Sequence, residues 1–264
     1  MDLQLALERV KQWALEAGAV QLEYLDKKIK YNTKSSEVDV VTEVDLLCEK
    51  LIISRIKEFY PLHSIISEEA GKSILSDEYV WIIDPLDGTN NYFHGYPMFA
   101  VSIALRKGEE AVLGAVYVPR LNELYYAAKG KGAYLNDSKL QVSSTDRLAG
   151  ALLATGFPYD KALDRENNNL ALFQHIVPDI MGIRRSGSAA YDLCCVACGR
   201  LDGYWELKVK LWDIAAGELI IREAGGIVKV NYREKDLNLI AGNEKMVELI
   251  QGKIEECYQK FWDK

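Results

Sequence analysis

Long apolar runs are missing from this sequence. No stretch approaches the roughly 18 consecutive apolar residues that a membrane-spanning helix needs, so no span is expected. Residues 1–25 mix Asp2, Glu8, Arg9, Lys11 and Glu16 with apolar side chains. A basic start followed by an apolar block is absent there, so no secretory leader is expected. Blocks of Lys and Arg are missing too, and the net charge is -7, which argues against a nucleic acid as the main ligand. An anionic small molecule stays open, because a bound cation reverses the local sign. Histidine is scarce, and His63, His94 and His175 show none of the i, i+4 spacing of a zinc helix. The cysteines are Cys48, Cys194, Cys195, Cys198 and Cys257. Their odd number and the crowding of three of them do not make a disulfide framework, and a reducing cytoplasm is the expected location. Cys195 and Cys198 have redox spacing but lie in an apolar run with no second pair, which reads as buried structural thiols. Repeats, low-complexity tracts and long linkers are also absent.

What is present is an ordinary globular pattern over 264 residues, enough for one large domain or two small ones. The expected arrangement is a single domain over 1–264, with approximate subdomains 1–145 and 146–264. Helical spacing of Leu3, Leu7, Val10, Ala14 and Ala17 predicts a helix over 2–25. A polar loop or hairpin follows at 26–39, then a helix at 43–59 that Pro61 stops. Strands are expected at 64–67 and 79–83. A run of antiparallel hairpins follows at 99–106, 111–118, 123–128 and 132–135, separated by turn signals such as Lys107-Gly108. The second half predicts strands at 150–155, 180–185, 202–206, 227–231 and 237–241. Its helices fall at 164–176, 187–198, 212–224 and 243–260, and Gly225-Gly226 caps the third. Helices in pairs between blocks of strands suggest alternating helix and sheet layers rather than a simple βαβ repeat.

The chemistry concentrates at residues 81–89, Trp-Ile-Ile-Asp-Pro-Leu-Asp-Gly-Thr. An apolar strand that ends in two carboxylates calls for a cation, and Asp and Glu oxygens are the ligands of hard ions such as Mg²⁺, which shares its shell with phosphate and water. Gly88 lets the backbone approach a ligand. The N–H groups of Gly88 and Thr89 meet an anion if a short helix starts there. Further acids stand at element ends: Asp39 with Asp45, Glu68 with Glu69, and Asp213. Glu68 follows one strand and Asp84 the next, so the two meet if those strands are neighbours. Alanines and a glycine after Asp213 suit a closely packed helix with Asp213 in its first turn. Taken separately, Asp213 also reads as a helix cap, Glu68-Glu69 as a solvated face and Asp87-Gly88 as a turn.

Residues 81–95 resemble the first signature of the inositol monophosphatase family, and Trp212 to Gly217 with Glu223 to Gly226 resembles the second. Lys34, Asp39, Thr42, Asp45, Glu68-Glu69, Thr155 to Tyr159 and Gly187 to Ala190 match in order, so the resemblance covers nearly the whole chain. It implies a layered α-β-α-β-α sandwich of the α+β class, shared with fructose-bisphosphatases, and Li⁺-sensitive hydrolysis of phosphate monoesters with two or three Mg²⁺ ions. By resemblance, Glu68, Asp84 and the Leu86 carbonyl hold one ion, and Asp84, Asp87 and Asp213 a second. Glu68 supports a weaker third, while Thr89 and Asp45 orient and deprotonate the attacking water. Gly187, Ser188, Ala189, Glu206 and Asp213 face the substrate together with Asp87, Gly88 and Thr89. Arg184, Arg185, Lys208 and Lys210 are candidates for a second phosphate. The resemblance also implies a homodimer. The leading expectation is an inositol-1-monophosphatase, with fructose-1,6-bisphosphatase or a dual enzyme as the alternative. A regulator that keeps the fold and binds a macromolecule is the reading from a different class.

Overall fold

The computed structural model describes residues 1–34, 40–76, 78–164, 167–231 and 237–261. Asp39 lies outside the described residues. The chain begins with α1 (Leu3–Tyr24), whose start Asp2 caps by accepting from Gln4 N and Leu5 N. A hairpin of β1 (Tyr31–Thr33) and β2 (Val40–Thr42) leads into α2 (Glu43–Phe59). Then come β3 (Ser64–Ser67), β4 (Gly71–Ser73), β5 (Tyr79–Asp87) and the short α3 (Thr89–Phe93). Strands β6 (Ala100–Lys107), β7 (Glu110–Val118), β8 (Glu123–Ala128), β9 (Ala133–Leu135) and β10 (Ser138–Lys139) form the antiparallel run. The remainder is β11 (Leu152–Thr155), α4 (Leu170–Ile176), β12 (Gly182–Arg184), α5 (Ala189–Ala197), β13 (Gly203–Val209) and α6 (Leu211–Glu223). It closes with β14 (Ile227–Val230), β15 (Leu237–Gly242) and α7 (Glu244–Phe261).

Two large sheets result. One has eight strands in the order β10-β9-β8-β7-β6-β5-β3-β4, and the other five in the order β12-β11-β13-β15-β14. Helices α1 and α2 pack on one face of the first sheet and α6 on the other. Helix α5 packs on α6, both touch the second sheet, and α7 with α4 covers its far side. The order of layers is therefore α-β-α-β-α, as the resemblance implied. A strand covered on both faces needs apolar residues on both. In β6, Val101, Ile103 and Leu105 join the core under α1 and α2, while Ala100 and Ala104 join the core around α6. The large side chains thus face outward and the small ones inward, so α6 approaches closely. A Cβ on Gly114 of β7 would stand 3.0 Å from the Ala216 Cα, and one on Gly217 would stand 2.7 Å from the Leu193 Cβ of α5. The Ala-Ala-Gly run after Asp213 exists for that double contact.

Three expectations need correction. Strand β5 does not stop at Ile83 but continues to Asp87, with a register shift against β6 between Asp84 and Asp87. Pro85 sits in that irregularity, the place where an interior strand tolerates a residue without an N–H. The helix expected over 164–176 is shorter and begins at Leu170, because Asn169 takes a left-handed φ of 68° and breaks the helical path; residues 165 and 166 lie outside the described residues. The pairing of Tyr31 with Thr42 gives the hairpin expected near 26–39, but its second strand, 40–42, runs past that range up to the cap of α2.

Candidate active site

A cleft of about 390 Å³ opens where β3, β5, β13 and the N-termini of α3, α5 and α6 meet. Its walls include Glu68, Asp84, Leu86, Asp87, Gly88 and Thr89 from the first sheet side. Gly187, Ser188, Ala189, Glu206 and Asp213 come from the second half. Each of these is a residue singled out from sequence. Asp45, expected to act on the attacking water, does not line the cleft; it stands behind Thr89.

Local structure explains the placement. Strand β3 runs parallel to β5 with Ser67 opposite Ile83, so Glu68 and Asp84 emerge side by side. The bulge after Asp84 turns the chain through Asp87 into Gly88, whose φ of 89° is left-handed. A side chain at Gly88 would also meet the carbonyl oxygen of Met98 at 2.9 Å. Gly187, likewise at φ 89°, faces it: a Gly88 Cβ would stand 3.3 Å from the Gly187 carbonyl oxygen. Asn91 ties the two loops by donating to the Met98 and Ser186 carbonyls at 2.6 and 2.8 Å. The second sheet mirrors the first, because β13 is also irregular, between Glu206 and Val209.

The hydrogen bonds give each acid a distinct position. Thr42 and Asp45 form a capping box at the start of α2: Asp45 Oδ2 accepts from Thr42 N at 2.8 Å and from Thr42 Oγ1 at 2.5 Å. Its other oxygen lies 2.9 Å from Thr89 Oγ1, which is also 3.0 Å from the Leu86 carbonyl. Asp84 accepts from Leu86 N at 3.0 Å. Asp87 Oδ2 accepts from the Ser188 hydroxyl at 2.5 Å and from Ala190 N at 2.8 Å. The donors at the α5 N-terminus are thus turned onto Asp87. Asp213 accepts from Lys210 N at 2.8 Å, and Glu68 from Lys34 Nζ at 2.7 Å, while Glu69 also pairs with Lys34.

Burial pushes these acids upward. Asp45 and Asp87 are each raised to about 6, mainly by desolvation, and the hydrogen bonds each accepts hold it down only in part. Asp84 is raised well above the ordinary carboxylate range, first by burial and then by the charges of Glu68, Asp87 and Asp213. Asp213 is raised likewise, by burial and then by Asp87 and Glu68. Four acids that repel one another in one cleft form a surplus of buried negative charge, and every donor is a hard oxygen. That donor set fits a divalent cation such as Mg²⁺. Among the described residues, no three Asp, Glu, His or Cys side chains converge tightly enough to hold an ion as they stand. Their oxygens point instead to Lys34, Ser188 and backbone N–H groups.

Several residues of the site were not singled out. Asp192, on α5, is raised to about 7 by burial and lies near Glu206 and Asp87. A lone acid in the apolar run Ala189 to Ala197 was the available signal. Tyr204 donates to Glu206, which burial raises to about 7. Gly156 makes room for that carboxylate: a Cβ there would stand 2.0 Å from Glu206 Oε1, so a larger residue would make the Glu206 side chain move. Beneath it, Asn169 Nδ2 donates to Thr155 Oγ1 at 2.7 Å and to the Gly156 carbonyl at 2.6 Å. The Asn169 oxygen accepts from Trp205 Nε1 at 2.8 Å. Of the basic candidates, Arg185, Lys208 and Lys210 line the cleft, whereas Arg184 does not and donates to the Ile183 carbonyl at 3.0 Å. His94 caps α3 outside the cleft lining. Cys195 and Cys198 are raised by burial, as structural thiols are.

A sequence model of the inositol monophosphatase family matches residues 2–259. The chain is 45% identical over 230 residues to the Nus factor SuhB of Pasteurella multocida, covering 85% of this chain and 86% of that protein. It is 40% identical over 255 residues to a fructose-1,6-bisphosphatase/inositol-1-monophosphatase of Aquifex aeolicus, covering 94% and 95%. Among solved structures, inositol monophosphatase from Anabaena superposes with a TM-score of 0.88 at 39% identity, covering 97% of each chain.

Proposed function

The chain belongs to the inositol monophosphatase family, and from that premise we propose that it is a Mg²⁺-dependent hydrolase of small polyol phosphates, with inositol 1-phosphate as the leading substrate. The observation that carries the reading is the gathering of Glu68, Asp84, Asp87 and Asp213 on one cleft, with Thr89 linking the cleft to the buried Asp45.

Glu68, Asp84 and the Leu86 carbonyl would hold one ion, Asp84, Asp87 and Asp213 a second, and Glu68 would help with a third. Bound Mg²⁺ supplies the positive charge that lets an anionic nucleophile approach a phosphate dianion, and it lowers the pKa of its water. The side chains do the rest. Thr89 Oγ1 accepts a hydrogen bond from the attacking water and fixes its direction. Its own proton points to Asp45 Oδ1, so a proton leaving the water passes through Thr89 to Asp45. Raised to about 6, Asp45 is a better base than an ordinary carboxylate. No covalent intermediate is needed; Ser188 donates its hydroxyl to Asp87 and serves as a positioning group. Glu206 and Asp213 accept hydrogen bonds from the alcohol's hydroxyls, which suits a polyol.

The test is phosphate release from inositol 1-phosphate, glycerol 2-phosphate and fructose 1,6-bisphosphate with Mg²⁺, with EDTA and with Li⁺. Activity that needs Mg²⁺ and falls with Li⁺ is expected, as is a loss of at least about 1,000-fold in Asp87→Asn with the fold kept. An active Asp87→Asn enzyme sinks the assignment. The Aquifex aeolicus relative's double name supports fructose 1,6-bisphosphate as the alternative substrate. The SuhB relative's name, Nus factor, supports a binding role beside catalysis. A cellular phenotype that survives Asp87→Asn favours that role. A cytoplasmic homodimer is the expected working form, and sedimentation of the purified protein checks the dimer.

A further inference from the structure

A lysine occupies the left-handed region at the rim of the candidate site. Lys208 has a φ of 61°, a conformation in which a Cβ is crowded and Gly or Asn usually stands. It falls in the irregularity of β13 between Glu206 and Val209, and its N–H donates to Asn238 Oδ1 at 3.2 Å. Its ammonium reaches the segment 157–164, donating to Asp160 Oδ2 at 2.8 Å and to Asp164 Oδ2 at 2.6 Å. Only 10% of the lysine side chain is exposed, against 46% and 37% for the two acids. Phe157, Pro158, Tyr159 and Asp160 line the same cleft as Glu206 and Asp213. The start of this segment is fixed by Asn169 through Thr155 and Gly156. Lys208 fixes its far part.

An ordinary surface ion pair contributes little and gives no reason to accept a strained backbone. Strain of this kind persists where surrounding structure over-determines it, and it clusters at ligand clamps. Here the bulge that turns Glu206 toward the cleft also carries the lysine that holds the neighbouring wall. We propose that Lys208 is a positioning residue for specificity: its two-acid ion pair fastens segment 157–164 as the wall against which the alcohol part of the substrate is selected. The clamp stands on geometry alone, and its effect on selection rests on the phosphatase reading above. Lys208 is therefore committed to two acids and is not the second-phosphate ligand that its charge suggested.

The test uses the full chain as Lys208→Met, Lys208→Arg and the double variant Asp160→Asn/Asp164→Asn. Hydrogen–deuterium exchange over 157–164 is expected to speed up about 10-fold in Lys208→Met and in the double variant, with β5 and α6 unchanged and Lys208→Arg close to wild type. In kinetics, Lys208→Met is expected to raise KM for inositol 1-phosphate about 10-fold while kcat changes less than about twofold. KM for the shorter glycerol 2-phosphate is expected to move less than about threefold. Adding Lys208→Met to the double acid variant is expected to change nothing further, because both remove the same contact. Unchanged exchange at 157–164 overturns the clamp. A loosened segment with an unchanged KM ratio between the two substrates overturns the specificity role, as does an equal fall in kcat for both at wild-type KM. A wild-type chain that releases phosphate from no monoester overturns the specificity role together with the phosphatase reading, and exchange still decides the clamp. If Lys208→Met fails to fold, the acid variants probe the same contact from the other side.

Discussion

Thr89 shows how much a single side chain carries here. One hydroxyl links the cleft, the Leu86 carbonyl and the buried Asp45. The acids around it are held against their ordinary preference, and that has a measurable sign. Asp45 and Asp87 are raised to about 6, and Asp192 and Glu206 to about 7, so the folded chain favours their protonated forms. Their contribution is complete at low pH, below the carboxylate range of the unfolded chain, and is lost as pH rises through these folded values. In EDTA, Tm is therefore expected to fall between about pH 5 and about pH 8, a window below which unrelated carboxylates take over. Mg²⁺ is expected to flatten that slope, because a cation favours the charged forms; calorimetry in both buffers checks it. At Gly156 the crowding is steric. Gly156→Ala is expected to displace Glu206 and raise KM for inositol 1-phosphate at least about fivefold with a smaller change in kcat. The carboxylates at 68, 84, 87 and 213 were legible because each ends or begins an element. Gly156 was named only within the matching stretch Thr155 to Tyr159, and Asp192 showed only as a lone acid in an apolar run; the role of Tyr204 arises from a contact that no local pattern encodes.

At the scale of elements, two irregular strands make the site. In β5 the bulge at Pro85 separates Asp84 from Asp87, and in β13 the bulge at Lys208 follows Glu206. A regular strand would send alternate residues to opposite faces. Each bulge breaks that alternation where a carboxylate has to leave the sheet. Neither was expected: the strand before Pro85 was expected to end at Ile83, and the left-handed backbone of Lys208 is invisible before folding. Helix α4 was overestimated for the same reason: the helical pattern of 164–176 contains Asn169, and its buried bonds to Thr155, Gly156 and Trp205 outweigh helix continuation. The short edge strands β4 and β10 carry no apolar signal, being exposed throughout. Close packing of α6 was foreseeable from its alanines and glycine, but its partners, β7 and α5, were not. Gly114→Val is expected to overpack the contact with β7, costing about 1–3 kcal/mol by chemical denaturation and misplacing Asp213 enough to lower activity.

For the whole molecule, α6 with α5 beside it is the central layer. The core around it joins Ile82 and Val116 of the first sheet to Tyr204 and Leu239 of the second. Layer order follows from which faces are apolar once the strands pair, but the pairing itself, with β5 next to β3 and β13 between β11 and β15, is long-range and could not be read locally. A cation held by acids from both parts would bind the folded form far better than the unfolded one. Saturating Mg²⁺ at about 100 times its Kd is then expected to add about 2.7 kcal/mol of stability, seen as a rise in Tm that EDTA reverses. The position of Asp213 has one more consequence, which concerns time. A ribosome releases Glu68, Asp84 and Asp87 well before Asp213 exists. At about 5–20 residues per second, the interval from Asp87 to Asp213 lasts roughly ten seconds. During it the nascent chain has an acidic half-site and a sheet face awaiting α6, so no copy shorter than 213 residues possesses the complete set of acids.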